Sequence, residues 1–362
     1  MDQGAEGPDT AHSADQFPDT GGEAPGQAAR IIIPYLLERV PEFRELHEIR
    51  LKGWKNPAGD RFFAKQRRQA DQADEHTKQY FYTLMQRIAQ AINNETGAFS
   101  IQNSDMSSPN RILDTCMAPG GFLSVALGLN MEADAIGFSL PVASGGHNIL
   151  LPAYSNVEIR LLDVTMLAAD LGTTDIPHDH PERDGFLPKQ LQRDDLFDLA
   201  ICDGQVLRTH SRMEYQERRE ARRLTTSQLA IGLSHLKPGG TMVVLLHKLE
   251  AWDTVLLLHR FSKFSKLRLF KPKMGHAKRS SFYMVAQDVQ SQDPEALHAV
   301  ERWREIWKAA TFGSEEEYVK AIWAGEPSEQ EVLDAFGPEL IRMGKQVWIT
   351  QARALAKASF NN

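Results

Sequence analysis

The sequence predicts an α/β fold with a mainly parallel seven-stranded sheet and helices on both faces. Short apolar segments recur between residues 111 and 289, and segments with helical spacing separate them. Most apolar segments are continuous rather than alternating with polar residues, which is typical of strands covered on both faces. Their alternation with helices favours a doubly wound parallel sheet, whose ligands bind beyond the carboxyl ends of the strands.

Seven segments are predicted as strands. In chain order they are RILDT (111–115), ADAIGFSL (133–140), VEIRLLDV (157–164), LFDLAICD (196–203), TMVVLLHK (241–248), KLRLF (266–270) and SFYMVAQDV (281–289). The spacing of apolar residues predicts helices from Gly121 to Leu129, from Glu214 to Leu236 ahead of the sequence KPGG, and from Asp253 to Phe264.

Composition divides the 362 residues into four regions. Residues 1–28 are rich in Gly, Pro, Asp and Glu and are predicted to form a disordered acidic tail. Residues 29–105 form a helical N-terminal region, residues 106–292 hold the sheet, and residues 293–362 form a C-terminal helical extension. In that extension, Ser314 with Glu317 and Ser328 with Glu331 have the spacing of capping boxes. The tryptophans expected to dock these helices on the main body are Trp303, Trp307, Trp323 and Trp348.

The cysteine content and the shortness of the apolar runs exclude several classes of protein. Cys116 and Cys202 are the only cysteines of the chain, which excludes a disulfide scaffold and a zinc site built from cysteines. They end neighbouring predicted strands, so we expect them to lie close together and to stay reduced. No apolar run approaches the roughly 20 residues of a membrane span, and no secretory signal is visible. These features favour a cytoplasmic or nuclear protein without membrane contact.

The stretch RILDTCMAPGGF, residues 111–122, raises the first functional question. It places Asp114 at the end of a strand, with Gly120 and Gly121 where a helix begins. Glycines permit unusual dihedral angles and let a ligand approach the backbone, and the free N–H groups of a helix start favour an electronegative ligand. The alternative is a glycine turn that contacts no ligand.

Four motifs together resemble the FtsJ-like ribose 2′-O-methyltransferases. They are LDTCMAPGGF, DLFDLAICDG, LKPGGTMVVLLHK and KPKMGHAKRSSFYMVAQ, and they occur in the family's order between residues 111 and 288. The resemblance implies a Rossmann-like class I methyltransferase fold and S-adenosylmethionine as the cofactor. The implied cofactor-binding residues are Asp114, Ala118, Pro119, Gly120, Gly121, Phe122, Ser139, Asp163 and Asp203, with Asp163 near the adenine and Asp114 beneath the methionine end.

The resemblance also implies catalytic residues. Asp203 and Lys248 match two members of the family's Lys-Asp-Lys-Glu tetrad, and Lys78 is the nearest candidate for its first lysine. A ribose hydroxyl is a poor nucleophile until its proton leaves, and Lys248 is expected to accept that proton while Asp203 orients it. The alternatives are a carboxylate that caps a turn at Asp203 and an exposed lysine at a strand end at Lys248.

The sequence departs from the family's pattern at three positions. The stretch YFYTLM, 80–85, stands where the family usually has its first tetrad lysine, and Lys78 is the nearest lysine on that helix. Ser281 stands where the tetrad has its glutamate, and Glu250 is a candidate substitute. Ser139 ends the second predicted strand, where an acidic residue normally holds the cofactor ribose. These departures reduce the expected catalytic power and cofactor affinity.

RNA is the expected partner, and DNA is not expected. The net charge of −7 gives no overall sign of nucleic-acid binding, so contact would depend on local basic patches. Two stretches qualify, with a solvated protein surface as the alternative for each. Their basic residues are Arg208, Arg212, Arg218, Arg219, Arg222 and Arg223 in the first, and Lys263, Lys266, Arg268, Lys271, Lys273, Lys278 and Arg279 in the second. The sequence HDH, 178–180, is interpreted as a loop rather than a metal site.

The sequence therefore predicts an S-adenosylmethionine-dependent methyltransferase that acts on an RNA ribose 2′-hydroxyl. Two alternatives stay open: a degenerate family member that binds cofactor or RNA without turnover, and a methyltransferase that acts on a small molecule. The sequence predicts neither the RNA nor the oligomeric state.

Overall fold

The structure, a computed structural model, describes residues 23–54, 56–62, 64, 74–102, 109–207, 210 and 212–359. Most of the predicted acidic tail lies outside these residues. The first helix, α1 (Glu23–Arg39), begins ahead of residue 29, where the sequence analysis began the helical region. Helix α2 (Pro41–Trp54) follows, residues 57–62 are helical, and α3 (Glu75–Thr96) ends the N-terminal region.

Seven strands form one mixed sheet, which confirms the predicted fold class. They are β1 (Arg111–Asp114), β2 (Asp134–Ser139), β3 (Val157–Leu161), β4 (Phe197–Cys202), β5 (Leu236–His247), β6 (Lys266–Phe270) and β7 (Ser281–Val289). Their order is β3-β2-β1-β4-β5-β7-β6. Strands β1 to β5 are parallel, and β7 lies antiparallel to both β5 and β6. The strand order reverses between β1 and β4, where ligands bind in open sheets of this kind.

Helices cover both faces of the sheet because both faces are apolar. On one face, α3 packs against α4 (Gly121–Leu129), and their apolar side chains form a core with those of β1, β5 and β7. The other face carries the larger core, which includes α5 (Glu220–Ser234) and α6 (Trp252–Phe264). The N-terminal helical region is therefore divided, since α1 and α2 lie on the second face and α3 on the first.

The C-terminal extension consists of α7 (Pro294–Phe312), α8 (Glu315–Trp323) and α9 (Glu329–Ala356). Both predicted capping boxes are present, at the starts of α8 and α9. Trp303, Trp307 and Trp348 are buried in the larger core, and Trp323 packs against it, as the sequence predicts.

Helix α9 also joins the two ends of the chain, because it packs against α1, α2 and α6. Arg50 of α2 connects this group to the segment after β5. Its guanidinium contacts the Glu250 carboxylate at 2.6 Å and the Gln351 side-chain carbonyl at 2.8 Å. Both members of the ion pair are mostly shielded from solvent.

Two elements differ clearly from the sequence prediction. The helix predicted from Glu214 to Leu236 divides into a 3₁₀ turn at Glu214–Gln216 and the helix α5, which ends at Ser234. The KPGG sequence lies inside the irregular start of β5, where Gly239 has a φ of 85°. Among the described residues, no helix is both long enough and apolar enough to cross a membrane.

The first prediction concerns Gly121, where α4 meets α3. A Cβ at this position would lie 2.6 Å from the Met85 Cβ and 2.6 Å from the Tyr82 carbonyl oxygen, and the backbone atom cannot move aside. We expect Gly121→Ala to lower the free energy of unfolding by about 2 kcal/mol, as overpacking does.

Gly128 of the same helix is the matched control, since a Cβ there has no atom within 4 Å. Gly128→Ala should raise the free energy of unfolding by about 0.5–1 kcal/mol through helix propensity. Urea unfolding followed by circular dichroism measures both. Equal effects of the two substitutions would contradict the described contact of α3 with α4.

Candidate functional site

A cleft of about 760 Å³, its open mouth included, lies at the carboxyl edge of the parallel strands. Residues that follow β1, β2, β3 and β4 line it, together with Met85 of α3 and two residues of α5. The position agrees with the topology, because the reversal of strand order between β1 and β4 opens the sheet edge there. The lining residues are Met85, Thr115, Cys116, Ala118, Ser139, Leu140, Gly146, His147, Leu162, Asp163, Val164, Asp203, Gly204, Gln205, Val206, Leu207, His210, Glu220 and Leu224.

Four of the predicted cofactor-binding residues line this cleft. They are Ala118, Ser139, Asp163 and Asp203, which follow or end four different strands. The remaining predicted residues are not among those that line the cleft; they are Asp114, Pro119, Gly120, Gly121 and Phe122.

The turn after β1 explains the glycines of the opening motif. Gly120 has a φ of 106° and stands at the N-cap of α4. A Cβ at this position would lie 2.8 Å from the Leu151 Cβ, so the turn and residues 150–151 approach too closely for a side chain. Phe122 is buried, and its ring packs against Phe99 and Tyr283. The structure therefore assigns the Phe122 ring to the core rather than to the cleft.

Two carboxyl groups, the buried Asp114 and the half-buried Asp203, lie at the ends of the paired strands β1 and β4. Burial raises the pKa of Asp114 to about 7, against the opposing hydrogen bond from the Cys116 N–H. Burial and the Asp114 carboxyl raise the pKa of Asp203 well above its usual value, although the Tyr283 hydroxyl donates to Asp203 Oδ1 at 3.2 Å. The two carboxyl groups thus favour the neutral form until a positive charge arrives.

The two cysteines belong to the same cluster. Both are free thiols, and their thiol groups are close enough to influence each other's ionisation, as the sequence analysis expected. Burial is the main cause that raises the pKa of Cys116 and of Cys202. Both therefore stay uncharged at the centre of the sheet edge.

A second polar group lies at the other end of the cleft. Asp163 caps a 3₁₀ turn, and its Oδ1 accepts hydrogen bonds of 2.8 Å from both the N–H and the hydroxyl of Thr165. Its Oδ2 lies 3.5 Å from His210 Nε2. Ligand atoms of Asp163, His210 and Glu220 all fall within 4.8 Å of one another, as in a small metal site. However, Glu220 is already paired at 2.6 Å with the fully buried Arg223, whose charge opposes a cation there.

Lys248 lies outside the cleft lining. Strand β5 ends at His247, and Lys248 follows with a φ of 46° and an exposed side chain. Its backbone N–H donates to the Ser280 carbonyl oxygen. This hydrogen bond fixes the backbone of the turn and does not involve the ammonium group of Lys248. The residue of β5 that reaches the cleft wall is His247, whose Nε2 contacts the side-chain amide of Gln205 at 2.7 Å.

His247 is neutral under ordinary conditions. Burial, together with the smaller effects of the cationic side chains of Lys271, Arg279 and Lys248, lowers its pKa to about 3. Its Nδ1 is buried and has no hydrogen-bond partner among the described residues. The imidazole therefore acts on the cleft through Gln205, which is itself a lining residue.

The positions considered for the tetrad glutamate carry other interactions. Ser281 lies opposite His247 in the β5–β7 pairing. Its hydroxyl contacts His276 Nδ1 at 2.6 Å. Glu250, in the turn after β5, is engaged by Arg50 of α2 in an ion pair of 2.6 Å.

Lys78 is not among the residues that line the cleft, but its charge acts on one of them. Its ammonium group pairs with Glu75 at 2.5 Å on the surface of α3. It also contributes to the lowered pKa of His147, a lining residue that is mainly affected by burial. The structure thus brings Lys78 near the cleft.

The first basic stretch largely contacts this chain's own carboxylates. Arg219 pairs with Glu315 and Arg222 with Asp253, each at 2.7 Å. In the second stretch, Lys263 pairs with Glu295 and Lys266 with Asp288. These pairs favour the alternative of a solvated protein surface, while Arg208 lies outside the described residues.

The histidine loop has a packing role at His180. Its ring lies among Phe186, Tyr215 and Phe312, with centroid separations of 5.2–5.3 Å. Burial lowers the pKa of His180, and its Nε2 lies 3.2 Å from the Thr311 carbonyl oxygen. His178 is exposed. The pair therefore does not converge on one site.

The sequence analysis did not find several lining residues. Gln205 follows the CDG motif directly, and that proximity was its only signal. His147, His210, Glu220 and Met85 come to the cleft through tertiary packing, and their local sequence carries no motif.

The cleft fits a ligand that combines a positive centre with a flat nucleoside-like end. Buried carboxyl groups stabilise a cation at the β1–β4 edge. Hydrogen-bonding groups of Asp163 and His210 lie beside the apolar Leu162 and Val164 at the other end, which suits a base with a polar edge. S-adenosylmethionine has this combination of groups.

A comparison with protein families finds a match to the model of the FtsJ-like methyltransferases over residues 90–289. No curated protein matches the chain. Solved structures with a similar fold include a protein assigned as a ribosomal RNA methyltransferase from Plasmodium falciparum, with 16% identity, a TM-score of 0.38, and coverage of 57% of this chain and 96% of that one.

Two other similar structures span comparable shares of the chain. An rRNA methylase from Streptococcus thermophilus has 12% identity and a TM-score of 0.29, and the match covers 50% of this chain and 88% of that one. Human methyltransferase-like protein 13, in complex with SAH, has 11% identity and a TM-score of 0.33, with coverage of 67% and 94%. Likeness at this level carries no argument about substrate.

The second prediction follows from the buried Asp114. Its pKa is raised from 3.8 to about 7, so the folded protein keeps a proton there that the unfolded chain releases. The stabilisation that the Asp114 carboxyl contributes is fully present below its pKa in the unfolded chain. It is lost as the pH rises through its pKa in the folded protein. We expect the deprotonation of Asp114 to lower the free energy of unfolding by about 4 kcal/mol as the pH rises from about 4 to about 8.

Asp114→Asn removes this titration while keeping the shape of the side chain. Urea unfolding of the ligand-free protein, measured across that pH interval, should therefore show a stability difference between variant and wild type that changes with pH. Parallel pH profiles for the two proteins would rule out the raised pKa.

Proposed function

Because the chain belongs to the FtsJ-like methyltransferase family, we propose that it binds S-adenosylmethionine in the cleft and methylates the 2′-hydroxyl of an RNA ribose. The observation that carries the proposal is the convergence of Ala118, Ser139, Asp163 and Asp203 on one cleft. These residues come from the ends of four strands. Ala118 and Asp203 lie in motifs that resemble the family's, Asp163 matches the position near the adenine, and Ser139 stands where the family has an acidic residue.

The residues of the cleft have distinct roles in this proposal. Asp203 stabilises positive charge at the β1–β4 edge, and Asp114 sets the charge state of that carboxyl group. Asp163 accepts hydrogen bonds from the adenine end, and Gly120 keeps the turn after β1 clear of side chains. When bound, S-adenosylmethionine supplies a methyl group on a sulfonium, which needs no further activation.

Activation of the acceptor is assigned to Lys248, with Lys78 as a further cation of the site. Lys248 is exposed in this structure, so its role as general base requires the segment after β5 to move toward the cleft. Removal of a general base typically costs about 100- to 10,000-fold in rate, which makes the assignment straightforward to test.

A degenerate family member is the second candidate function. Two observations favour it: the exposed Lys248, and a Ser281 whose hydroxyl is engaged by His276 where the family has a glutamate. Such a protein would bind the cofactor and RNA without turnover. The two candidates therefore agree on binding and differ on transfer.

The third prediction tests transfer. The protein is incubated with tritium-labelled S-adenosylmethionine and total RNA, followed by digestion and separation of the nucleosides. Label in 2′-O-methylnucleosides supports the proposal. Asp203→Asn should lower the rate at least about 100-fold, because a preorganised charge is lost from the site.

Lys248→Ala is compared with Lys357→Ala, which removes an exposed lysine at the end of α9. Loss of transfer only in the first supports the general base, and an unchanged rate removes Lys248 from the mechanism. Binding of S-adenosylhomocysteine without transfer by the wild type favours the degenerate candidate. If the labelled methyl group is transferred to molecules of a metabolite extract and not to RNA, RNA is excluded as the acceptor.

The fourth prediction uses the neutral carboxyl groups. The affinity for S-adenosylmethionine divided by that for S-adenosylhomocysteine should rise with pH. Only the positively charged sulfonium favours the ionised form of Asp203, so the ratio should rise by up to about tenfold per pH unit while free Asp203 is still protonated. Calorimetry between about pH 5 and pH 9 measures both ligands. Asp203→Asn should flatten the ratio, and a flat ratio in the wild type would contradict the proposed charge pairing.

A further inference from the structure

The C-terminal extension contacts the cleft at its Asp163 end. Helix α7 packs against α5, and its Trp307 is fully buried. The indole Nε1–H of Trp307 donates to the carbonyl oxygen of Thr165 at 3.0 Å. Thr165 in turn donates both its N–H and its hydroxyl to Asp163 Oδ1. One side chain of the extension thus holds the turn that Asp163 caps.

A second path from α7 reaches the same end of the cleft. The Arg223 Nε–H donates to the Thr311 hydroxyl at 3.1 Å, and its Nη1 contacts Glu220 at 2.6 Å. Arg223 Nη2 also lies 3.5 Å from the Thr165 carbonyl oxygen. Glu220 lines the cleft, so Thr311 supports the lining through one buried guanidinium.

These supports come from outside the residues that match the family model. The match ends at residue 289, and α7 begins at Pro294. Asp163 and Glu220 lie within the matched residues, whereas Trp307 and Thr311 do not. The methyltransferase domain of this chain therefore relies on an added element for two buried contacts beneath its cleft.

We propose that α7 is a positioning element of the cofactor site, and that Trp307 and Thr311 hold the Asp163 turn and the Glu220–Arg223 pair in the geometry that binds the adenine end. This inference rests on the proposed function, because it assigns that end of the cleft to adenine. Trp307 and Thr311 are positioning residues and do not contact the ligand.

The test compares two tryptophan substitutions. Trp307→Phe removes the donor to Thr165 and keeps an aromatic ring. Trp348→Phe is the matched control, since Trp348 is also buried, lies in α9, and has an Nε1 without a hydrogen-bond partner among the described residues. Calorimetry on the full chain uses S-adenosylhomocysteine and 5′-methylthioadenosine, which share the adenosine end and differ at the amino-acid end.

We expect Trp307→Phe to weaken both ligands by the same factor, about 3- to 10-fold, as for the loss of one buried hydrogen bond. Trp348→Phe should change either affinity by less than about twofold at a similar melting temperature. In the Asp163→Ala background, Trp307→Phe should cost less than about twofold, because residues that act through one another are not additive. A purely structural role would leave the two effects additive.

Thr311→Val provides an independent variant, because it removes the hydroxyl that accepts the hydrogen bond from Arg223. It should also lower the affinity for both ligands. Equal affinities of the Trp307→Phe and Trp348→Phe proteins would overturn the inference and leave the proposed function standing. A wild-type protein that binds neither ligand would overturn both. A loss confined to S-adenosylhomocysteine would place the effect at the amino-acid end and also contradict the inference.

Discussion

The carboxyl groups of Asp114 and Asp203 lie at the ends of two paired strands, where Asp114 is buried and Asp203 is half-buried. Their proximity is a consequence of topology, because β1 and β4 lie side by side where the strand order reverses. Burial raises the pKa of both carboxyl groups, and the Asp114 carboxyl adds to the rise at Asp203, so the ligand-free site favours the protonated forms. A cationic ligand removes that constraint. The electrostatics of the sheet edge thus favour a sulfonium over a neutral or anionic centre.

The fold keeps this edge in place with material from both ends of the chain. Helix α3 packs on α4 behind the glycine turn, and α9 joins α1, α2 and α6 on the other face. The C-terminal extension is therefore part of the molecule's main core. Its α7 contacts the segment after β3 as well, which connects the extension to the cleft rather than to the core alone.

Much of the fold could be predicted because the strands are short, apolar and separated by clear turns. The site could be predicted in part, where one motif fixes one strand end, as at Ala118, Asp163 and Asp203. Lys248 shows the limit of that reasoning. A strand places alternate side chains on opposite faces, and β5 ends one residue earlier, so His247 faces the Gln205 wall and Lys248 turns to solvent. His210 and Glu220 reach the cleft, and Trp307 reaches the turn that Asp163 caps, by contacts between distant parts of the chain, which no local pattern encodes.

The same limit applies to the charged stretches. A run of arginines after Asp203 has the composition of a nucleic-acid surface, yet Arg219 and Arg222 meet carboxylates of other helices. Arg223 is fully buried beside Glu220, where it organises the cleft wall. Local sequence gives the charge of such residues, while their partners depend on which helices the fold brings together.

The most direct measurement is a crystal structure of the full chain with S-adenosylhomocysteine bound. The account predicts that the ligand occupies the cleft, with its sulfur within about 6 Å of the Asp203 carboxyl group and its adenine beside Asp163. Density for the ligand at any other surface, or with its sulfur directed away from the β1–β4 edge, would contradict the account.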